Sequence, residues 1–532
     1  MACTFTLRHA RRMLVLAIAF CMLSMTFTSM SKAQTITAVM QTGLRILDPV
    51  LTTNYTTRNY GYMVYDTLLS VDADYKIQPQ MVEKWTESAD KKTYTFTLRG
   101  GLKWSDGTSV TAEDCVASIK RWAQLDTTGQ VLMTMLEEIR ILDDKTFEVI
   151  LKEPTGLLLE GLSKLSSRPC FMMPKHIAET PASEPISASI GSGPFKFVAS
   201  EFKPGLKVVF ERNEHYVPRS EPPSWTAGGK VVNVDRVVWV SMPDQMTAVN
   251  ALLSGEIDYM ELVPYDLLPM LESNEDIKVE VLDELGQWAQ YRFNFLYPPF
   301  NNKQIRQAAM YAVGQESAMK AAVGNSKYYE TCAAVFGCGT RYASSYGSDI
   351  VVSPDVEKAK KLLAQAGYDG TPVVILNPTD NAVLSALPVV VAAGLRKAGF
   401  NVKLKPMDWQ TFAVARNSKK PVEDGGWNVI PGASSLVASS DPFSATVAGS
   451  GAKAWAGWPD VPEIEALKLE FARAIDPEER KRIAEEVQKL VIDNGVIIPL
   501  GQYVAAAAYS KTLTGLLHSP ITTFWNVQKP VK

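Results

Sequence analysis

The sequence predicts an α/β protein divided into two or three lobes, and three observations lead there. The chain has 532 residues, roughly 500 without a leader, which is more than one hydrophobic core ordinarily supports. Apolar residues make up 46% and charged residues 21%, the balance of a globular protein rather than a disordered or fibrous one. The second half carries a strand–helix–strand order, which implies parallel pairing through a crossover helix.

The first segment reads as an export signal. Arg8, Arg11 and Arg12 form a positive start, Met13 to Leu23 is almost wholly apolar, and Ser31-Lys32-Ala33 offers a cut before Gln34. The apolar run is shorter than the ~20 residues a membrane span needs. Cys21 follows Phe20, not the small residue of a lipoprotein cut. Residues 1–33 are therefore expected to be a cleaved signal peptide. Their loss removes four basic residues and no acids, taking the formal charge from −3 to −7. An acidic chain without a basic block argues against nucleic acid or an anionic membrane as partner.

Residues 93–99 alternate, placing Tyr94, Phe96 and Leu98 on one face of a strand. Ser105-Asp106-Gly107 is a turn. Thr111 with Asp114 three residues on starts a helix whose stripe is Val116, Ile119 and Trp122. A strand begins near Phe195, and Val231 to Val240 is expected to be a buried strand. A helix from Gln245 to Leu253 stops at Gly255. Ser353-Pro354 opens a helix with stripe Val356, Ala359, Leu362, Leu363 and Ala366. Val373 to Leu376 is a strand, a Pro388-kinked helix runs to Gly399, and Val402 and Leu404 begin the next strand. Asp476 caps a helix carrying Ile483, Val487 and Leu490, and strands are expected at 496–500 and 504–509.

Motifs for chemistry are sparse. His9, His176, His215 and His518 are far apart, without carboxylates or cysteines at metal-ligand spacing. No nucleophile elbow, phosphate loop or dinucleotide fingerprint occurs, so neither an enzyme nor a cofactor or metal is expected. Cys332 and Cys338 are close enough for a disulfide in an oxidising compartment, the alternative being two buried thiols. Cys115 and Cys170 read as small core residues. Tryptophans outside the periodic stripes, among them Trp288, Trp409, Trp427 and Trp455, suit a cleft that holds a solute by stacking.

The stretch Met81 to Trp122, with its alternating strand, Trp104-Ser105-Asp106-Gly107 turn and Thr111-Ala112-Glu113-Asp114 helix start, resembles the large peptide/nickel-type solute-binding family of ABC importers (family 5, cluster C). Four more segments agree in order: Gly191 to Phe195 with Glu211-Arg212-Asn213, Ala251 to Asp258, Pro298-Pro299-Phe300 with Ile305 to Ala308, and Lys358 to Leu363 with Gly367-Tyr368. The resemblance implies a periplasmic-binding-protein-like two-lobed clamshell (type II) with an extra subdomain on the first lobe, closing on ligand about a hinge. Mapped here, lobe I takes residues 34–78, 190–282 and 495–532, the extra subdomain 79–189, and lobe II 283–494.

By position in that family, three regions line the cleft. Tyr55 lies in the first. The second is the strand from Trp288 to Asn294, where alternation puts Trp288, Gln290 and Arg292 on one face. Arg292 stands where some relatives read charge, although it could equally be a surface arginine paired with an acid. The third runs from Trp427 through Ser434 and Ser435 to Asp441. Peptide-binding relatives carry an aspartate for the ligand's amine where this chain has Ala438. Either Asp441 or another acid takes that role, or the ligand has no free amine; with Arg292, the departure tilts the expected ligand toward an anion. The implied function is delivery of a small organic, peptide or peptide-like solute to an ABC permease in the inner membrane by a monomeric periplasmic protein. Competing readings are a periplasmic chaperone or sensor-type binding protein and, more remotely, a secreted hydrolase.

Overall fold

The computed structural model describes residues 34–530 except Ala382, Ala445, Thr446 and Ala448. The expected signal peptide lies outside the described residues. Two large sheets organise the rest. In the first, the strands run in the order Ile277–Glu280, Ala507–Ser510, Tyr259–Met260, Thr35–Val39, Arg236–Val240, Lys207–Arg212 and Phe195–Phe197. In the second the order is Tyr329–Glu330, Ile498–Tyr503, Gln287–Phe293, Val429–Ser435, Val373–Pro378 and Val402–Met407. A four-stranded antiparallel sheet orders Val82–Glu87, Thr93–Leu98, Thr146–Leu151 and Leu136–Asp143.

Local chemistry explains many of these elements. Thr93–Leu98 buries Tyr94, Phe96 and Leu98, and Phe96 stacks on Phe147 with ring centroids 5.3 Å apart. Burying side chains of this size contributes about 1.5–3 kcal/mol each. The helix Ala112–Leu125 starts at a complete capping box between Thr111 and Asp114. Val373–Pro378 and Val402–Met407 pair in parallel across the helix Leu387–Lys397.

Four expectations shift. Only Arg236–Val240 of the 231–240 run is a strand, and Val231 is exposed. Pro388 begins its helix rather than kinking it, because a residue without an N–H fits the first turn, where that donor has no intrahelical partner. Asp355, whose side chain accepts from Lys358 N, caps the helix expected to open at Ser353. Ile498–Tyr503 pairs with Gln287–Tyr291 and Tyr329–Glu330 inside the second sheet, whereas the mapping gave residues 495–532 to the first lobe. The chain thus re-enters the first sheet at Ala507.

The chain passes between the two large sheets twice, between Glu280 and Gln287 and between Tyr503 and Ala507. A continuous hydrophobic cluster, including Leu252, Met260 and Ala508 on one side and Tyr503, Trp288 and Leu500 on the other, flanks both crossings. Two short adjacent linkers of this kind are the natural place for a hinge.

Candidate functional site

One cavity lies at the junction of the two sheets, and a second lies mostly among loops, with Leu285 of the first crossing in its lining. The first, about 70 Å³, is bordered by both crossings and lined among others by Tyr55, Arg58, Glu261, Asp283, Gln287 and Ser435. The second, about 120 Å³, lies further out, and its lining includes Tyr75, Glu160, Trp225, Arg341 and Asp441.

The helix Tyr55–Val64 supplies the first cavity's cation. Asn54 caps it by accepting from Thr57 N at 3.1 Å. Tyr55 and Arg58, three residues apart, share a face, and the guanidinium lies 5.0 Å from the Tyr55 ring centroid. The Tyr55 hydroxyl accepts from Ser435 N at 3.0 Å, joining this helix to the end of a strand in the second sheet. Arg58 donates to Asn59 Oδ1, Ser166 Oγ and the Pro520 carbonyl. Burial pulls its pKa down, while Tyr55, Tyr62, Asp283 and Glu261 oppose that shift.

Two carboxylates face the same space. Glu261 accepts from Gln41 N at 2.7 Å and Asn59 Nδ2 at 2.9 Å, and burial raises its pKa. Asp283 sits on the first crossing, where its Oδ1 accepts from Leu285 N at 3.1 Å and Gly286 N at 3.0 Å. Burial pushes its carboxyl up to about 6, against the opposing pull of those amides and Arg58.

The second cavity is closed over by bonds between the two sides. Arg341 donates to the Tyr75 carbonyl at 2.7 Å and pairs with Glu160 at 3.2 Å. Glu160 also pairs with Arg480. Trp225 packs edge-on against Tyr75 with ring centroids 5.2 Å apart. Asp441 turns one oxygen, Oδ1, to Phe443 N.

Of the residues singled out by sequence, Tyr55 and Ser435 line the first cavity and Asp441 the second. Trp288, Gln290, Arg292, Trp427 and Ser434 line neither. Alternation does place Trp288, Gln290 and Arg292 opposite Ser434, Gly432 and Ile430. The outer part of that face is covered by Phe412, Trp427, Ala456 and Trp458. Arg292 is buried 4.4 Å from the Trp455 ring centroid, and burial lowers its pKa to about 9. Trp427 lies against Trp458 with centroids 5.6 Å apart. Sequence reasoning missed Arg58, Glu160, Glu261, Asp283 and Arg341. For Arg58 a signal was available, one helical turn after Tyr55.

Cys332 and Cys338 are bonded, with Cα atoms 5.9 Å apart, while Cys115 and Cys170 are free and buried. Thiol labelling of the unreduced, denatured mature protein is therefore expected to modify Cys115 and Cys170 alone. Labelling at Cys332 and Cys338 as well would contradict the bridge. Among the described residues, no group of three or more His, Cys, Asp or Glu side chains is placed to hold a metal.

Two sheets joined by paired crossings, with a cavity at their junction, define the type II periplasmic-binding-protein fold. The chain belongs to the bacterial extracellular solute-binding proteins, family 5, whose middle-region model matches residues 76–457. It is 43% identical over 511 residues to a probable peptide ABC transporter periplasmic-binding protein of Sinorhizobium fredii, covering 94% of this chain and 96% of that one. Among solved structures, the fold is shared with a dipeptide-binding protein from Pseudoalteromonas sp. SM9913 in complex with Met-Leu (TM-score 0.77, 20% identity, covering 93% of this chain and 100% of that one). It is also shared with a binding protein from A. tumefaciens R10 in complex with agropinic acid (TM-score 0.75, 23% identity, covering 93% and 99%). The chain is thus a family 5 solute-binding protein, and its relatives are binding proteins rather than enzymes.

Proposed function

We propose that the protein captures a peptide or peptide-like solute in the periplasm and delivers it, as a monomer, to an ABC permease in the inner membrane. The observation that carries this reading is the cavity at the junction of two sheets joined by two adjacent crossings, with a second cavity mostly among loops whose lining includes Leu285 of the first crossing. Such a molecule can trap a small solute by rotation about the crossings, and the closed form presents a changed surface to a permease. The described part of the mapped lobe I, with its extra subdomain, is one jaw. Lobe II, now including Ile498–Tyr503, is the other. Tyr55 and Ser435 would touch solute near the hinge and Asp441 near the mouth.

Solute is expected to compact the protein in solution scattering and to change its tryptophan fluorescence. The reporter is Trp225, which lines the second cavity, rather than Trp288 or Trp427, which are fully buried and line neither cavity. Trp225→Phe should remove most of the fluorescence change without abolishing compaction. An unchanged scattering profile with the peptide pool of the native periplasm, under conditions where binding is detected, would sink the clamshell mechanism. Loss of solute uptake on deletion of the gene would distinguish transport from a chaperone or sensor role.

A further inference from the structure

We propose that the cavity at the crossings is an ammonium site, in which Asp283 Oδ2 receives the amine-bearing end of the solute. The inference rests on the solute-binding reading and assigns the charge of what is bound. It also departs from the anionic ligand suggested by Arg292, which lies outside both cavities.

The first cavity contains two carboxylates and one guanidinium, those of Glu261, Asp283 and Arg58. Among the described residues, no ion pair reaches either carboxylate. Arg58 is committed to Asn59, Ser166 and the Pro520 carbonyl. Glu261 is committed to Gln41 and Asn59. Asp283 differs, since its two amide bonds converge on Oδ1 and, among the described residues, Oδ2 accepts no hydrogen bond. Asp283 is half-buried, so its second oxygen stays open to the cavity as a ready acceptor for a cation, and such a charge-assisted bond is stronger in a partly desolvated site than in open water. The cavity therefore carries an excess negative charge at a backbone-anchored acceptor, and an ammonium group, with its several N–H donors, answers both.

Position strengthens the case. Asp283 lies on the crossing itself, and the charged or titratable groups acting on it include Arg58, Glu261 and Tyr75. Asp283 lines the first cavity and Leu285, two residues on along the same crossing, lines the second. A solute amine seated there would leave its remaining length to run outward past Ser166 toward Asp441. The role that relatives give to an aspartate at position 438 would then be taken by an acid on the hinge.

The test uses mature protein freed of solute by dialysis and, as probe, small molecules extracted from the native periplasm. The extract is offered untreated or after exhaustive acetylation of its amines. Untreated extract is expected to raise the melting temperature of the wild type, and the acetylated extract is not. Asp283→Asn keeps an oxygen for the Leu285 and Gly286 amides, so its fold should persist and its solute-free melting temperature should equal or exceed that of the wild type. The half-effective concentration of untreated extract should nevertheless rise at least about tenfold for the variant, as on truncating one partner of a buried charged contact. Equal stabilisation of the wild type by both extracts, or equal responses of wild type and Asp283→Asn, would overturn the assignment. If neither extract shifts the wild type, the solute-binding reading fails and this inference falls with it.

Discussion

Replacing Asp48 with alanine is expected to destabilise the protein by about 3–5 kcal/mol, the cost of breaking a buried ion pair by removing one partner. Asp48 and Arg121 are both buried, with Nη2 and Oδ2 2.7 Å apart. The carboxylate also accepts from Val50 N and Ile186 N, and Arg121 donates to the Glu184 carbonyl. The pair fastens the helix Ala112–Leu125 to the segment preceding Asn54, the cap of the helix that carries Tyr55 and Arg58. Without Asp48 the guanidinium stays buried beside a single carbonyl acceptor. The double replacement Asp48→Leu with Arg121→Met should recover most of the loss, because no buried charge then remains. Urea unfolding of the wild type and the two variants checks this. A double variant as unstable as Asp48→Ala would show that the pair does not act through charge.

What the sequence made legible was local. A capping box lies within four residues and an alternating strand within six, so Thr111 with Asp114 and the Tyr94, Phe96, Leu98 face could be read directly. The family resemblance supplied the clamshell, which local patterns alone do not specify. Alternation also grouped Trp288, Gln290 and Arg292 correctly on one face. Which space that face meets depends on Phe412, Trp455, Ala456 and Trp458, more than a hundred residues later. The cavity at the crossings has the same difficulty, since Arg58, Glu261 and Asp283 come from three distant segments. None has a spacing to any other that could be read along the chain. Strand membership at 498–503 was likewise decided by its partners, not by its own apolar sequence.

Glu160→Ala is expected to move the protein toward an open form. The segment from Glu153 to Glu160 leaves the four-stranded sheet and meets the helices Pro462–Arg473 and Pro477–Asn494. Thr155 Oγ1 donates to the Ala472 carbonyl at 2.6 Å, and Arg473 pairs with Glu153 at 3.2 Å. Glu160 pairs with Arg341 and Arg480. Arg480 is buried, donates to the Phe471 and Ala474 carbonyls, and lies 3.9 Å from the Phe471 ring centroid. Burial, with Asp441 adding to it, holds the Glu160 pKa up against the pull of the two guanidiniums, and a partly buried ion pair of this kind offsets its own desolvation rather than adding a large surplus. The asymmetry appears when one partner is removed. In the closed form, Arg480 loses its carboxylate and remains buried; in an open form, water can reach it. A differential cost of about 2 kcal/mol would shift the closed-to-open ratio roughly thirtyfold and weaken apparent solute affinity when closed protein is the binding-competent state. Glu160→Gln, which retains a carbonyl acceptor for Arg480, should fall between the wild type and Glu160→Ala. Solution scattering in the presence of the untreated periplasmic extract should give a larger radius of gyration for Glu160→Ala than for the wild type. Coincident profiles and equal half-effective extract concentrations would mean that this contact holds the extra subdomain in place without taking part in closure.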